Sequence, residues 1–98
     1  MPTIFGANGF QWDEGNIDKN WIKHRVTHLE CEQPFFNEPF LVHEDIAHPD
    51  LEARYCALGV TDRGRYLFIV STMRDSLIRV ISARDMNRKE RRAYDGIK

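Results

Sequence analysis

The chain has 98 residues and a mass of 11.5 kDa, enough for one modest core and too little for a large cofactor cavity or a second domain. Its 42% hydrophobic and 30% charged residues exclude a disordered chain, and its longest apolar run, Leu67-Phe68-Ile69-Val70, falls far short of the ~18 residues of a membrane-crossing helix. The net charge of −1 hides a division: residues 1–48 sum to −5, residues 49–98 to +4, and nine of the ten arginines follow residue 50.

Residues 1–9 read as a loose lead-in to a single domain spanning 1–98. Phe10-Gln11-Trp12 alternates apolar and polar and predicts a short first strand. Asp13 reads as an N-cap, and Ile17, Trp21 and Ile22 form one face of a helix ending near Arg25. Thr27-His28-Leu29-Glu30 is a capping-box pattern, with Val26 and Cys31 placed as a hydrophobic staple. It predicts a second helix from His28 to about Asn37, with Phe35 and Phe36 inward, kinked or shortened by Pro34 and stopped by Pro39.

Phe40 to Glu44 is a weak strand pattern, and Ile46 to Asp50 reads as loop. Three strands follow: Arg54–Thr61, Tyr66–Met73 and Leu77–Ala83. Their connections, Asp62-Arg63-Gly64-Arg65 and Arg74-Asp75-Ser76, are short enough to force antiparallel neighbours. Asp85 reads as the cap of a last helix that Gly96 ends. The expected order is β-α-α-β-β-β-β-α. The expected class is α+β: an antiparallel sheet with two N-terminal helices and a C-terminal helix packed on one side.

Cys31 and Cys56 are too few and too far apart for a disulfide framework or a zinc site, and Met1 to Phe10 has neither a basic start nor an apolar h-region. The expectation is a cytoplasmic protein with no membrane contact and no metal or other cofactor. No dinucleotide, phosphate-loop or nucleophile-elbow motif is present. His24 and His28 are four apart, but the capping box between them ends any shared helix.

The strand arginines are more informative, because guanidinium forks suit phosphate. Strict alternation puts Tyr66, Phe68, Val70, Thr72 and Arg74 on one face of their strand. In the next it sets Ile78, Val80, Ser82 and Arg84 against Leu77, Arg79, Ile81 and Ala83. An inward arginine needs an anion or a carboxylate such as Asp75, Asp85 or Glu90. His48 to Tyr55 gathers His48, Glu52, Arg54 and Tyr55 within eight residues just before a strand.

Four pieces of sequence, in order, resemble one known family. Phe10-Gln11-Trp12-Asp13-Glu14 resembles F-x-W-D-E. Asn20 to Val26 resembles N-x-x-K-H-G-V. His48, Glu52, Arg54, Tyr55 and Gly59 match H-x-x-x-E-x-R-[YF]-x-x-x-G. Gly64-Arg65-Tyr66-Leu67, Arg74 and Ile78 to Arg84 match G-R-x-L … R … I-R-[IV]-I-S-A-R, with Arg88-Lys89-Glu90-Arg91 after it. Together they resemble the BrnT-like toxins of bacterial type II toxin–antitoxin modules over Phe10 to about Gly96.

The resemblance implies a RelE-like ribonuclease fold and an endoribonuclease that stops translation and growth by cutting RNA. It also implies a cognate antitoxin that neutralises the toxin, in a complex that contacts operator DNA through the antitoxin. The chain departs from the family pattern at Arg25, in place of glycine, and at Pro34 and Pro49.

RNA cleavage without a metal needs a base for the 2′-hydroxyl, cations for the phosphorane and an acid for the leaving oxygen. Arg74, Arg84 and Arg88 are the expected phosphate-stabilising residues, aided by the amino end of the last helix. His24 and Glu52 are the expected acid–base pair, Lys23 tunes them, and Arg54 and Arg79 hold substrate. The alternative is a subunit that has lost catalysis and acts in an antitoxin-containing DNA-bound repressor.

Overall fold

The computed structural model describes residues 6–45 and 53–97. The elements are β1 (Gly9–Phe10), α1 (Lys19–His24), α2 (His28–Glu32) with a 3₁₀ turn (Gln33–Phe36), β2 (Leu41–Asp45), β3 (Arg54–Val60), β4 (Tyr66–Arg74), β5 (Leu77–Asp85) and α3 (Arg88–Ile97). This is an α+β fold with the element order expected from the sequence. The predicted loop over Ile46 to Asp50 lies outside the described residues.

The sheet order is β1-β5-β4-β3-β2. It is mixed rather than purely antiparallel, because β1 runs parallel to β5 through Gly9↔Leu77 and Phe10↔Ile78. Short turns dictate the direction only of β3, β4 and β5; the β1–β5 pairing closes across most of the chain, and no local signal encodes it. The tie begins before β1, with Ala7 buried and the Asn8 amide donating to the Ser76 carbonyl at 2.7 Å.

The helices lie on both faces of the sheet, not on one. Val26, Cys31 and Phe35 from the α1–α2 region pack with Leu67, Ile69, Ile78, Val80 and Ala83 in the core. On the opposite face α3 sets the buried Tyr94 against Tyr66, with ring centroids 5.3 Å apart. Tyr66 and Leu67 are consecutive in a strand, so they point to opposite sides.

The first helix is shorter than expected. Asp13 caps only a turn: its Oδ1 accepts from the Gly15 amide at 2.8 Å, and its carbonyl accepts from the Asn16 and Ile17 amides. Helix proper begins at Lys19 because Asn16 turns aside to β5, donating Nδ2 to the Val80 carbonyl at 3.3 Å. Four residues on, Asn20 Oδ1 accepts from the Ala83 amide at 3.0 Å, and Lys19 Nζ donates to the Ile81 carbonyl at 3.2 Å. Beyond its two residues of pairing with β1, the edge of β5 is thus satisfied by side chains in place of a strand.

α1 ends at Arg25, held in the left-handed region at φ 56° where the family pattern has glycine. Arg65 secures this end by donating to the Arg25 carbonyl at 2.8 Å and the His24 carbonyl at 3.2 Å. The capping box of α2 is formed in both directions. Pro34 opens the 3₁₀ turn rather than kinking a helix; Phe35 is buried there, but Phe36 is exposed. At α3 the cap is Asn87, not Asp85: Asn87 Oδ1 accepts from the Glu90 amide at 2.8 Å, and Glu90 returns the bond. Asp85 closes β5 against Arg65, and α3 continues through Gly96.

Candidate functional site

Register places Arg54 of β3, Thr72 of β4 and Arg79 of β5 in one row across the sheet, on the face away from the main core. Arg74 follows Thr72 by two residues and shares that face. One irregularity makes this possible. Val70 pairs with Ser82 and Ser71 with Val80, so Ile81 is an extra, bulged residue. Below the bulge Arg79 faces the same side as Thr72; above it Arg84 does the same beside Phe68. Strict alternation had set these two arginines on opposite faces.

Arg54, Arg74 and Arg79 meet Lys19 around a recess of about 200 Å³ where the chain wraps the edge of β5. The Arg79 side chain is only 14% exposed; it donates to Asp13 Oδ2 at 2.8 Å, Asp13 Oδ1 at 3.1 Å and Gln11 Oε1 at 3.2 Å. That guanidinium and the Gly15 amide hold the Asp13 carboxyl below its usual range. Gly15 leaves room for the pair, since a Cβ there would lie 3.1 Å from both Arg79 Nη2 and Asp13 Oδ1. Arg54 Nε is buried with no hydrogen-bond partner among the described residues.

Among the described residues the recess wall holds four cations and no carboxylate, with Asp13 entering only as the partner of Arg79. An anion entering the recess would give the buried Arg54 Nε an acceptor and would meet a wall of positive charge. The arrangement suits an oxyanion the size of a phosphodiester.

The remaining sequence-predicted site residues lie elsewhere. Lys23 is exposed one helical turn beyond Lys19. His24 sits at the far end of α1, where its charge helps, after Arg65, to lower the carboxyl of Asp85. Arg84 donates to both Glu90 oxygens at 2.8 and 2.9 Å, and its guanidinium carbon lies 4.2 Å from the Phe68 ring centroid. The Phe68–Arg84 pair is four residues along β4 from Thr72, ~13 Å away.

Arg88 is exposed at the start of α3. The amides there that would have met phosphate include two already engaged in the Asn87–Glu90 cap. Glu52 and His48 lie outside the described residues. Sequence reasoning missed Lys19, although it stands four residues before Lys23 and so shares its helix face. It also missed the part played by Asp13, which the F-x-W-D-E piece contains.

A family model described as "Ribonuclease toxin, BrnT, of type II toxin-antitoxin system" matches residues 12–90. The chain belongs to this family. The matched span contains Asp13, Lys19, Arg54, Arg74 and Arg79, every charged group placed at the recess above. BrnT membership identifies a toxin of a type II system with ribonuclease activity and implies an antitoxin protein as partner. No curated protein matches the sequence. No helix among the described residues is long and apolar enough to cross a membrane.

Proposed function

We propose that this chain acts as a single toxin domain of RelE-like type, a metal-independent endoribonuclease that cuts RNA in the cytoplasm and so stops translation. The observation that carries the reading is the convergence of Arg54, Arg74, Arg79 and Lys19 on one recess. Fixed cations of this kind stabilise the charge that builds on a phosphorane as the 2′-oxygen attacks phosphorus, and no metal is needed for that service.

In this reading Arg74 and Arg79 grip the non-bridging oxygens, and the buried Nε of Arg54, which has no partner among the described residues, gains an acceptor. Glu52, two residues before Arg54 in the chain, takes the 2′-hydroxyl proton. The bond from phosphorus to the 5′-oxygen breaks, that oxygen gains a proton, and a 2′,3′-cyclic phosphate remains. His24 lies five residues from Lys19, ~7.5 Å along α1, so it acts as the acid only if the substrate strand runs along that helix. Lys23 and Arg88 serve as outer phosphate contacts, and Arg84 chiefly anchors α3.

The test is cleavage of a 5′-labelled RNA in excess chelator by the protein freed from its antitoxin. Cleavage to a cyclic phosphate, slowed ~10²–10³-fold by Arg74→Ala or Arg79→Ala, is expected. A folded wild-type protein that leaves RNA intact overturns the reading.

A second reading is favoured by one observation: among the described residues, the recess wall offers cations but no carboxylate or imidazole to act as base. A chain without a base is a phosphate-binding subunit whose antitoxin complex grips operator DNA. Operator binding by the complex with no cleavage by the free chain selects it.

A further inference from the structure

We infer that the antitoxin docks as an extended segment along the outer edge of β2, adding a sixth strand to the sheet and filling the groove beside it. This rests on the toxin–antitoxin reading and adds to it the surface and the chemistry of the segment. β2 is the terminal strand of the sheet, and no strand covers its outer edge among the described residues. An open edge of this kind offers a row of backbone donors and acceptors to an incoming chain.

A groove of about 660 Å³, running from Phe35 to Val42, lies beside that edge. Phe36 and Val42 are 53% and 40% exposed in it, although both are large apolar side chains. Val42 pairs with the buried Ala57, so it points to the side of the sheet that carries α1 and α2, and Glu44 shares that side.

Charge selects the occupant. Glu38 lines the groove and Glu44 follows Val42 by two; both are exposed, and neither forms a salt bridge among the described residues. Among the described residues no lysine or arginine lines the groove. The surface therefore fits a strand that carries an apolar and a basic side chain two residues apart on one face, for Val42 and Glu44, beside the groove of Phe36 and Glu38.

A second copy of this chain is a poorer fit, because β2 itself would bring Glu44 and Asp45 to an acidic edge. The exposed apolar side chains of α1 and α2, Trp21, Ile22 and Leu29, adjoin no strand edge, and the Arg25 guanidinium already covers Trp21 at 5.2 Å. Asp45 pairs with Arg54, so a strand laid beside β2 runs two strand spacings, ~10 Å, from the Arg54 side of the recess, while Arg79 on β5 lies two strands further across the sheet.

The experiment compares the full chain, free and in complex with the protein encoded by the adjoining reading frame, by hydrogen exchange and by growth. Amides of residues 41–45 are expected to exchange about tenfold or more slowly in the complex. Phe36→Glu and Val42→Lys are expected to weaken the complex at least about 30-fold while the chain expressed alone still arrests growth. Ile22→Glu is expected to bind as wild type.

Protection at Trp21–Leu29 in place of residues 41–45 overturns the proposal. Full neutralisation of Val42→Lys, or protection of residues 41–45 by self-association of the free chain, also overturns it; in each case growth arrest by the free chain still leaves the toxin reading standing. If the free chain neither arrests growth nor binds that neighbour, the toxin reading fails and the docking proposal with it.

Discussion

Arg79 and Arg84 face the same side of the sheet although five residues separate them. The bulge at Ile81 absorbs the odd residue and gives the two arginines different surroundings. Arg79 joins Arg54 and Lys19 at an open recess, with a half-exposed carboxylate as its partner. Arg84 lies over Phe68 and is chelated by Glu90, beneath α3.

The two should therefore separate in a mutational test. Arg84→Ala removes a two-pronged ion pair and a ring contact, and is expected to cost about 1–2 kcal/mol of stability after solvent screening of this partly exposed pair is discounted. Cleavage by the fraction that remains folded should change little. Arg79→Ala breaks a pair whose acid is 54% exposed, so stability should move by less than about 1 kcal/mol while cleavage falls steeply. Urea titrations and single-turnover cleavage on both variants check this, and equal loss of activity in folded Arg84→Ala would contradict it.

This contrast also marks where sequence reasoning runs out. The Thr27–Glu30 capping box and the turns at Gly64 and Asp75-Ser76 were legible because each is closed by residues within four of one another. The family motifs gave the list of arginines. Which of them meet was not legible, because one bulged residue shifts the face of everything beyond it. Helix spacing relates Lys19 to Lys23 but does not bring it to the recess: its place there is fixed by a carbonyl on β5, 62 residues away. The parallel β1–β5 pairing and the Arg84–Glu90 clasp under α3 likewise depend on packing that no local pattern records.

Asn20 is buried at 3% exposure and its Oδ1 is the acceptor for the Ala83 amide at the unpaired edge of β5. Asn20→Ala leaves that amide buried without a partner, which costs about 1–3 kcal/mol. The effect should appear as a lower urea midpoint together with faster exchange at Ala83. Asn20→Asp retains an acceptor oxygen in the same place and should recover part of the loss. An unchanged midpoint in Asn20→Ala would show that water replaces the side chain.

Arg65 gathers acid-labile stability. It bonds Asp85 at 2.7 and 3.1 Å and Glu30 at 3.2 Å, besides the two carbonyls that end α1. The Arg65 guanidinium holds the Asp85 carboxyl below its ordinary value of 3.8. Burial works to raise Glu30, but the Thr27 amide and Arg65 outweigh it and bring the carboxyl below 4.5. Groups depressed in the folded state contribute stability above their unfolded values and lose it as pH falls through the folded ones. The urea midpoint should thus be flat between about pH 5 and 7 and drop below about pH 4.5. In Arg65→Met the whole curve should be lower and the acid drop shallower, because Asp85 no longer has its partner. A drop of equal depth in both proteins would place the acid sensitivity elsewhere.

The β4–β5 hairpin offers a change in the stabilising direction. Its two turn residues, Asp75 and Ser76, have φ of 52° and 65°, and Arg74 pairs with Leu77 across them. Two positive-φ residues are the requirement of a type I′ turn, whose preferred sequence is Asp-Gly or Asn-Gly. Ser76 carries a Cβ into this region at a cost of about 1–2 kcal/mol, while glycine there forfeits about 0.5–1 kcal/mol to the unfolded chain's freedom. Ser76 is exposed, and its carbonyl, which accepts from the Asn8 amide, survives the substitution. Ser76→Gly should therefore stabilise the fold by about 0.5–1 kcal/mol, measured as a higher melting temperature with cleavage unchanged. A lower melting temperature would mean that the serine hydroxyl contributes a bond worth more than the relieved strain.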